Sequence, residues 1–150
     1  MSIVATVPAE EACPTCGRLV FADGLVLSVE GAWNPQHICE AQVGLLLLRN
    51  SRNKKQRARY FDLIERFEQL AAYGELDEPL QMNYLRDDLW EIKTPHDRIP
   101  FFFVAATAEH VRSARLAQVF EKKTGRTAEG AMPRNQFDRA FWILRGDRST

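Results

Sequence analysis

Apolar positions recur every three to four residues over residues 53–73, where Tyr60, Ile64, Phe67 and Ala71, with Leu63 and Leu70 beside them, build one face. That period predicts an amphipathic helix, and Gly74 supplies its C-terminal cap. The same spacing in Phe137, Ala140, Phe141 and Leu144 predicts a C-terminal helix that opens at Pro133 and stops at Gly146. Residues 40–48 read as a third helix, with an apolar end that packs the N-terminal segment against the rest. Alternation replaces this period at residues 89–93: Trp90 and Ile92 face one side, Leu89, Glu91 and Lys93 the other. Arg98 opens the next strand, 99–104, whose unbroken apolar run implies burial on both faces, with Pro100 where no ladder bond is needed. Two short apolar runs, 19–21 and 25–28, flank Asp23-Gly24 and signal a hairpin.

Composition narrows the function classes without choosing one. With 150 residues and 45% hydrophobic content, the chain suits one globular domain and a small appendage. Twenty basic residues balance twenty acidic ones, so a nucleic-acid partner has to be read from local clusters. No signal-peptide pattern opens the chain, and the longest apolar run, 43–48, falls far short of the ~20 residues a membrane span needs. These features predict a cytoplasmic protein with no membrane partner. Residues 1–12, which lack a periodic apolar face, read as a loose leader.

Two clusters carry candidate chemistry. Cys13 and Cys16 form a Cys-x-x-Cys turn with Pro14 and Gly17, followed by the hairpin and then by His37 and Cys39. Three thiolates and an imidazole match the four donors of tetrahedral zinc, and the order looks like a treble-clef or ribbon-like zinc finger over residues 13–48, with a structural ion. The single residue between His37 and Cys39 requires His37 to precede the helix. The other reading is a redox pair or an idle turn at Cys13 and Cys16, with Cys39 a buried thiol. The second cluster runs from 49 to 59 and holds Arg49, Arg52, Lys54, Lys55, Arg57 and Arg59 with no acid. Asn53 and Gln56 have capping-box spacing, which puts cations in the helix's first turn, where they are disfavoured unless they meet phosphate. A solvated face is the bland alternative.

From about Tyr60 to Ala140 the chain resembles the RelE/HigB/ParE toxins of type II toxin-antitoxin systems, in particular the phage-derived HigB-like branch. The resemblance rests on Leu89-Trp90-Glu91-Ile92-Lys93, on Arg98-Ile99 before Phe101, Phe102 and Phe103, and on Phe120-Glu121-Lys122-Lys123-Thr124 before the last helix. Gly74, Leu76 and Pro79 extend it upstream. It implies an α+β fold over residues 49–150, a small antiparallel sheet packed with helices. By propensity residues 108–120 read as helix, whereas the resemblance implies a strand from about Ala114 to Phe120.

The family's activity implies a metal-independent endoribonuclease that cuts mRNA on the ribosome and is neutralised by an antitoxin, expected to be a helix-turn-helix protein. Carried over by motif, Lys93 and Arg98 would hold the phosphate and Lys122 and Lys123 would add charge; His96, in the turn between Lys93 and Arg98, is the only histidine close enough in sequence to serve as acid or base. Outside the resemblance, the basic run is the candidate nucleic-acid contact, and Arg126 in the basic turn joins it. This tail has Trp142, Arg145 and Arg148 where several RNase members have Tyr or His, which leaves the proton donor open. Two other readings stand beside it: a ParE-like gyrase inhibitor that breaks no bond, and a zinc-finger nucleic-acid adaptor on a toxin-like scaffold. The phenylalanines and Trp33 are expected to be core.

Overall fold

The computed structural model of the protein describes residues 17–105, 112–122 and 132–148. In chain order the elements are β1 (Val20–Asp23), β2 (Ser28–Gly31), α1 (Glu40–Arg49), α2 (Lys54–Tyr73), β3 (Met82–Arg86), β4 (Leu89–Lys93), β5 (Asp97–Ala105), β6 (Arg112–Leu116), β7 (Phe120–Glu121) and α3 (Arg134–Arg148). The fold is α+β. One sheet runs β1-β2-β6-β5-β4-β3, with β7 pairing β5.

Helix α2 follows its sequence pattern closely. Asn53 caps it by accepting from the backbone N–H groups of Lys55 and Gln56, and Gly74 ends it at φ 79°, a left-handed angle that favours glycine. Its buried stripe is Tyr60, Leu63, Ile64, Phe67, Leu70 and Ala71. These pack with Phe21, Leu27, Val29, Ile92, Ile99 and Phe101 on one face of the sheet. Helix α3 covers the other face, where Ala140, Phe141, Ile143 and Leu144 meet Leu89 and Phe102. The alternation in β4 and β5 divides these side chains between the two cores.

The structure departs from the expected antiparallel sheet and from the expected helix stop at Gly146. The sheet is mixed: β2 runs parallel to β6, from Ser28 opposite Ser113 to Gly31 opposite Leu116. Helix α3 passes through Gly146 to Arg148; there Pro35 packs against Gly146, and a Cβ would sit 3.0 Å from the proline Cγ. The N-terminal hairpin, read as part of a separate module, adds β1 and β2 to the common sheet and contributes Leu19 and Phe21 to the larger core. Its tip is held on α2, where Ala71 O accepts from the N–H groups of Val26 and Leu27. Gly24 permits that approach, because a Cβ there would lie 2.5 Å from the Ala71 carbonyl.

Strand β6 begins two residues before the expected segment and ends at Leu116; an irregular stretch precedes β7. Pro100 explains the break. In a strand the N–H and C=O of one residue point to the same side, and Pro100 O accepts from Ala117 N just past the last β5–β6 pair, Phe101 with Leu116. The missing N–H of Pro100 therefore lies where the β6 ladder has stopped. Strand β3 had no sequence signal as clear as Asn-Gly; a two-residue turn at Asp87 and Asp88, both with positive φ, returns it onto β4.

Candidate functional site

The β4–β5 turn gathers most of the expected catalytic residues at one end of the sheet. Thr94 shapes it: its hydroxyl accepts from Asp97 N at 3.0 Å and His96 N at 3.3 Å, while its own N–H donates to Asp97 O. Lys93 and Arg98 stand opposite each other in the ladder. Strand β7 pairs alongside, with Arg98 opposite Phe120 and Lys122 N donating to His96 O at 2.8 Å. Lys93, His96, Arg98 and Lys122 thus share one corner. Lys123 and Arg126 lie outside the described residues.

Their environments differ sharply. Arg98 is buried, and its Nη1 donates to the carbonyls of Thr94 at 2.6 Å and Asp97 at 2.8 Å, so it braces the turn. Burial lowers its pKa, against the pull of Glu91 and Asp97. Lys93 is half-buried, with Nζ on Pro79 O at 2.9 Å, while His96 and Lys122 are exposed. A rim with two ammonium groups and an imidazole can bind a phosphodiester and pass a proton.

Helix α2 reaches the same end of the sheet through Arg59 and Arg66. Arg59 grips Asp97 through Nε at 3.0 Å and Nη2 at 2.6 Å, and Arg66 Nε donates to Lys93 O at 3.0 Å. The basic run therefore divides. Arg59 is held by Asp97, Arg57 donates to Ser51 O, and Arg49 meets Asn50 and Tyr60. Arg52, Lys54 and Lys55 are exposed and have no acidic partner among the described residues.

Four carboxylates not singled out from sequence, Glu30, Glu91, Asp97 and Asp147, turn out to be buried. Asp97 organises the corner. Glu91 lies on the α3 face between Asn83 and Pro100 in the ladder, with Oε1 lacking a hydrogen-bond partner; burial raises its pKa, offset in part by Arg98, Asn83 and Lys93. Its place in the alternation with Leu89 was the available signal. Asp147 accepts from Arg18, from Arg115 Nη1 at 2.5 Å and from Trp33 N at 2.8 Å, tying α3 to β6 and the N-terminal strand region. Trp33 is buried as expected.

Of the expected zinc ligands, Cys13 and Cys16 lie outside the described residues. Cys39 is buried at the start of α1, and desolvation pushes its thiol up to about 12. His37 is exposed, with φ 65°. One donor is thus buried and the other turned to solvent, so a shared ion requires one of them to turn. Among the described residues no three His, Cys, Asp or Glu side chains converge. No helix among them is long and apolar enough to cross a membrane. Comparison with protein-family models and with curated proteins finds no match.

Proposed function

We propose that the protein is a type II toxin of the RelE/HigB/ParE kind that cuts mRNA in the cytoplasm on the ribosome and is neutralised by an antitoxin. The observation that carries this reading is the strand pairing that brings Lys93, His96 and Lys122 to one end of the sheet. Lys93 and Lys122 would hold the scissile phosphate, His96 would exchange the proton with the 2′-hydroxyl or the leaving oxygen, and Arg98 would fix the turn that presents them. Arg52, Lys54 and Lys55 would track the RNA backbone. A structural zinc at Cys13, Cys16, His37 and Cys39 belongs to the proposal as a brace for the N-terminal segment; it would supply no step of the reaction.

The test is to induce the wild type and a Lys93→Ala/His96→Ala/Lys122→Ala variant in a bacterium, following growth and mapping transcript ends. Arrest with new cuts in translated mRNA is expected, with cutting lost by ~10²-fold or more in the variant. Arg98→Ala is a poor substitute because it removes the brace of the turn. Arrest without cuts would replace the nuclease reading with a gyrase-type bound target. No arrest would overturn the toxin reading and leave a nucleic-acid adaptor.

A further inference from the structure

At the end of the sheet that carries Lys93, His96 and Lys122, helix α2 supplies two arginines in different electrostatic states. Arg59 is gripped by Asp97, so its charge is matched. Arg66 lies about two turns further along the same stripe of the helix, about 10 Å away along its axis. It is half-buried and donates through Nε to Lys93 O at 3.0 Å. Its Nη1 and Nη2 have no hydrogen-bond partner and no acid among the described residues. Neither nitrogen is a buried unpaired atom, so both face water. Asp62 stands between the two arginines at helical spacing and forms no ion pair with either among the described residues.

This arrangement is more than a brace for the strand requires. Lys93 is the last residue of β4, and the single Nε bond already satisfies its carbonyl. What remains is a guanidinium fixed at Nε, with Nη1 and Nη2 held as a planar fork beside the backbone of Lys93. Such a fork matches two oxygens of one phosphate, and fixing it beforehand reduces the ordering cost of binding. Arg98 cannot serve in this way, because it is buried with Nη1 on two carbonyls.

We infer that Arg66, which the sequence did not single out, binds a backbone phosphate of single-stranded RNA next to the one assigned to Lys93 and Lys122. The inference rests on the RNA-cutting reading and adds to it a contact from α2. It makes the substrate a strand that runs across the end of the sheet onto the helix.

The experiment measures binding of a short single-stranded 2′-O-methyl RNA, which lacks the attacking hydroxyl, to the full chain by fluorescence anisotropy over a range of salt concentrations. One phosphate contact on a single strand contributes about 0.7 to the slope of log affinity against log salt. Arg66→Gln should therefore lower the slope by about 0.7 and weaken binding about fivefold near 0.1 M salt. Arg66→Lys keeps the charge and should recover most of the slope, although both variants lose the Nε bond and share any fall in melting temperature. Asp62→Asn, which removes the acid beside the fork, should tighten binding. An unchanged slope in Arg66→Gln, a lysine variant as weak as the glutamine one, no tightening in Asp62→Asn, or a wild type that does not bind the RNA would each overturn the inference. If Lys93→Ala/His96→Ala/Lys122→Ala loses binding while Arg66→Gln keeps it, only the Arg66 contact falls. Transcript cutting in cells judges the toxin reading independently of either result.

Discussion

Replacing Asp97 with alanine removes the acceptor of a two-point hydrogen bond from Arg59, at 3.0 and 2.6 Å, in a place where the carboxylate is fully buried and the arginine side chain is 13% exposed. The hydrogen bond with Asp97 lifts the Arg59 pKa above its ordinary value despite burial. Without Asp97 the guanidinium keeps its charge, because arginine is protonated at any accessible pH. Its remaining acid is Glu121 at 3.8 Å, which is 66% exposed and screened by solvent. Breaking a buried pair by deleting one partner costs ~3–5 kcal/mol. Residual solvent access at Arg59 places the expected loss near the lower end, about 3 kcal/mol. At ~2–4 °C per kcal/mol for a chain of this size, the melting temperature should fall by roughly 6–12 °C. Urea unfolding followed by circular dichroism gives the free energy, with an unchanged denaturant slope as the sign that the compact state is preserved. Adding Arg59→Met should cost little more, because the orphaned charge goes with it, giving a coupling of ~1–3 kcal/mol in the cycle. A single variant within ~0.5 kcal/mol of wild type, or strictly additive effects, would refute the claim that the pair fastens α2 to the corner.

Further outcomes follow from the other buried groups. Asp147→Ala should lower stability by roughly 3 kcal/mol, since Arg115 keeps Glu30 at 3.0 Å while Arg18 loses its acid, and faster amide exchange at Trp33 would report the loosened contact. Glu91 has its pKa raised by burial, so the folded state holds its proton more tightly than the unfolded one; wild-type stability should fall as pH rises above the ordinary carboxylate range. Glu91→Gln should remove that decline, and parallel stability–pH curves for the two proteins would sink the assignment. A structural zinc predicts about one equivalent by elemental analysis of the purified chain, lost in Cys13→Ser/Cys16→Ser; a metal-free wild type folded to the same stability would retire it.

Periodicity alone located the helices because their stripes are local. Asn53, Gly74 and the Tyr60 to Ala71 face are set by residues within a few turns of one another. Strands β4 and β5 were legible for the same reason, since alternation is written along each strand, and it placed Trp90 and Ile92 opposite Leu89 correctly. Strand β3 was missed because its turn uses two aspartates at positive φ, and β6 competed with a helical propensity that the sheet overrides.

The candidate site was legible only as a set of residue types. That Lys122 joins Lys93 and His96 at one end of the sheet follows from the pairing of β7 with β5, a contact between distant segments. Which cations are available was likewise invisible in the run from 49 to 59. Arg59 finds Asp97 thirty-eight residues away, whereas Lys54 and Lys55, a turn earlier on the same helix, find no acid among the described residues. The parallel β2–β6 pair and the Asp147 hub likewise join segments far apart in sequence. The sequence by itself determined the local elements and the kinds of chemistry on hand. Tertiary structure decided which charges are neutralised and which face water, because burial and partnership are properties of the packed chain.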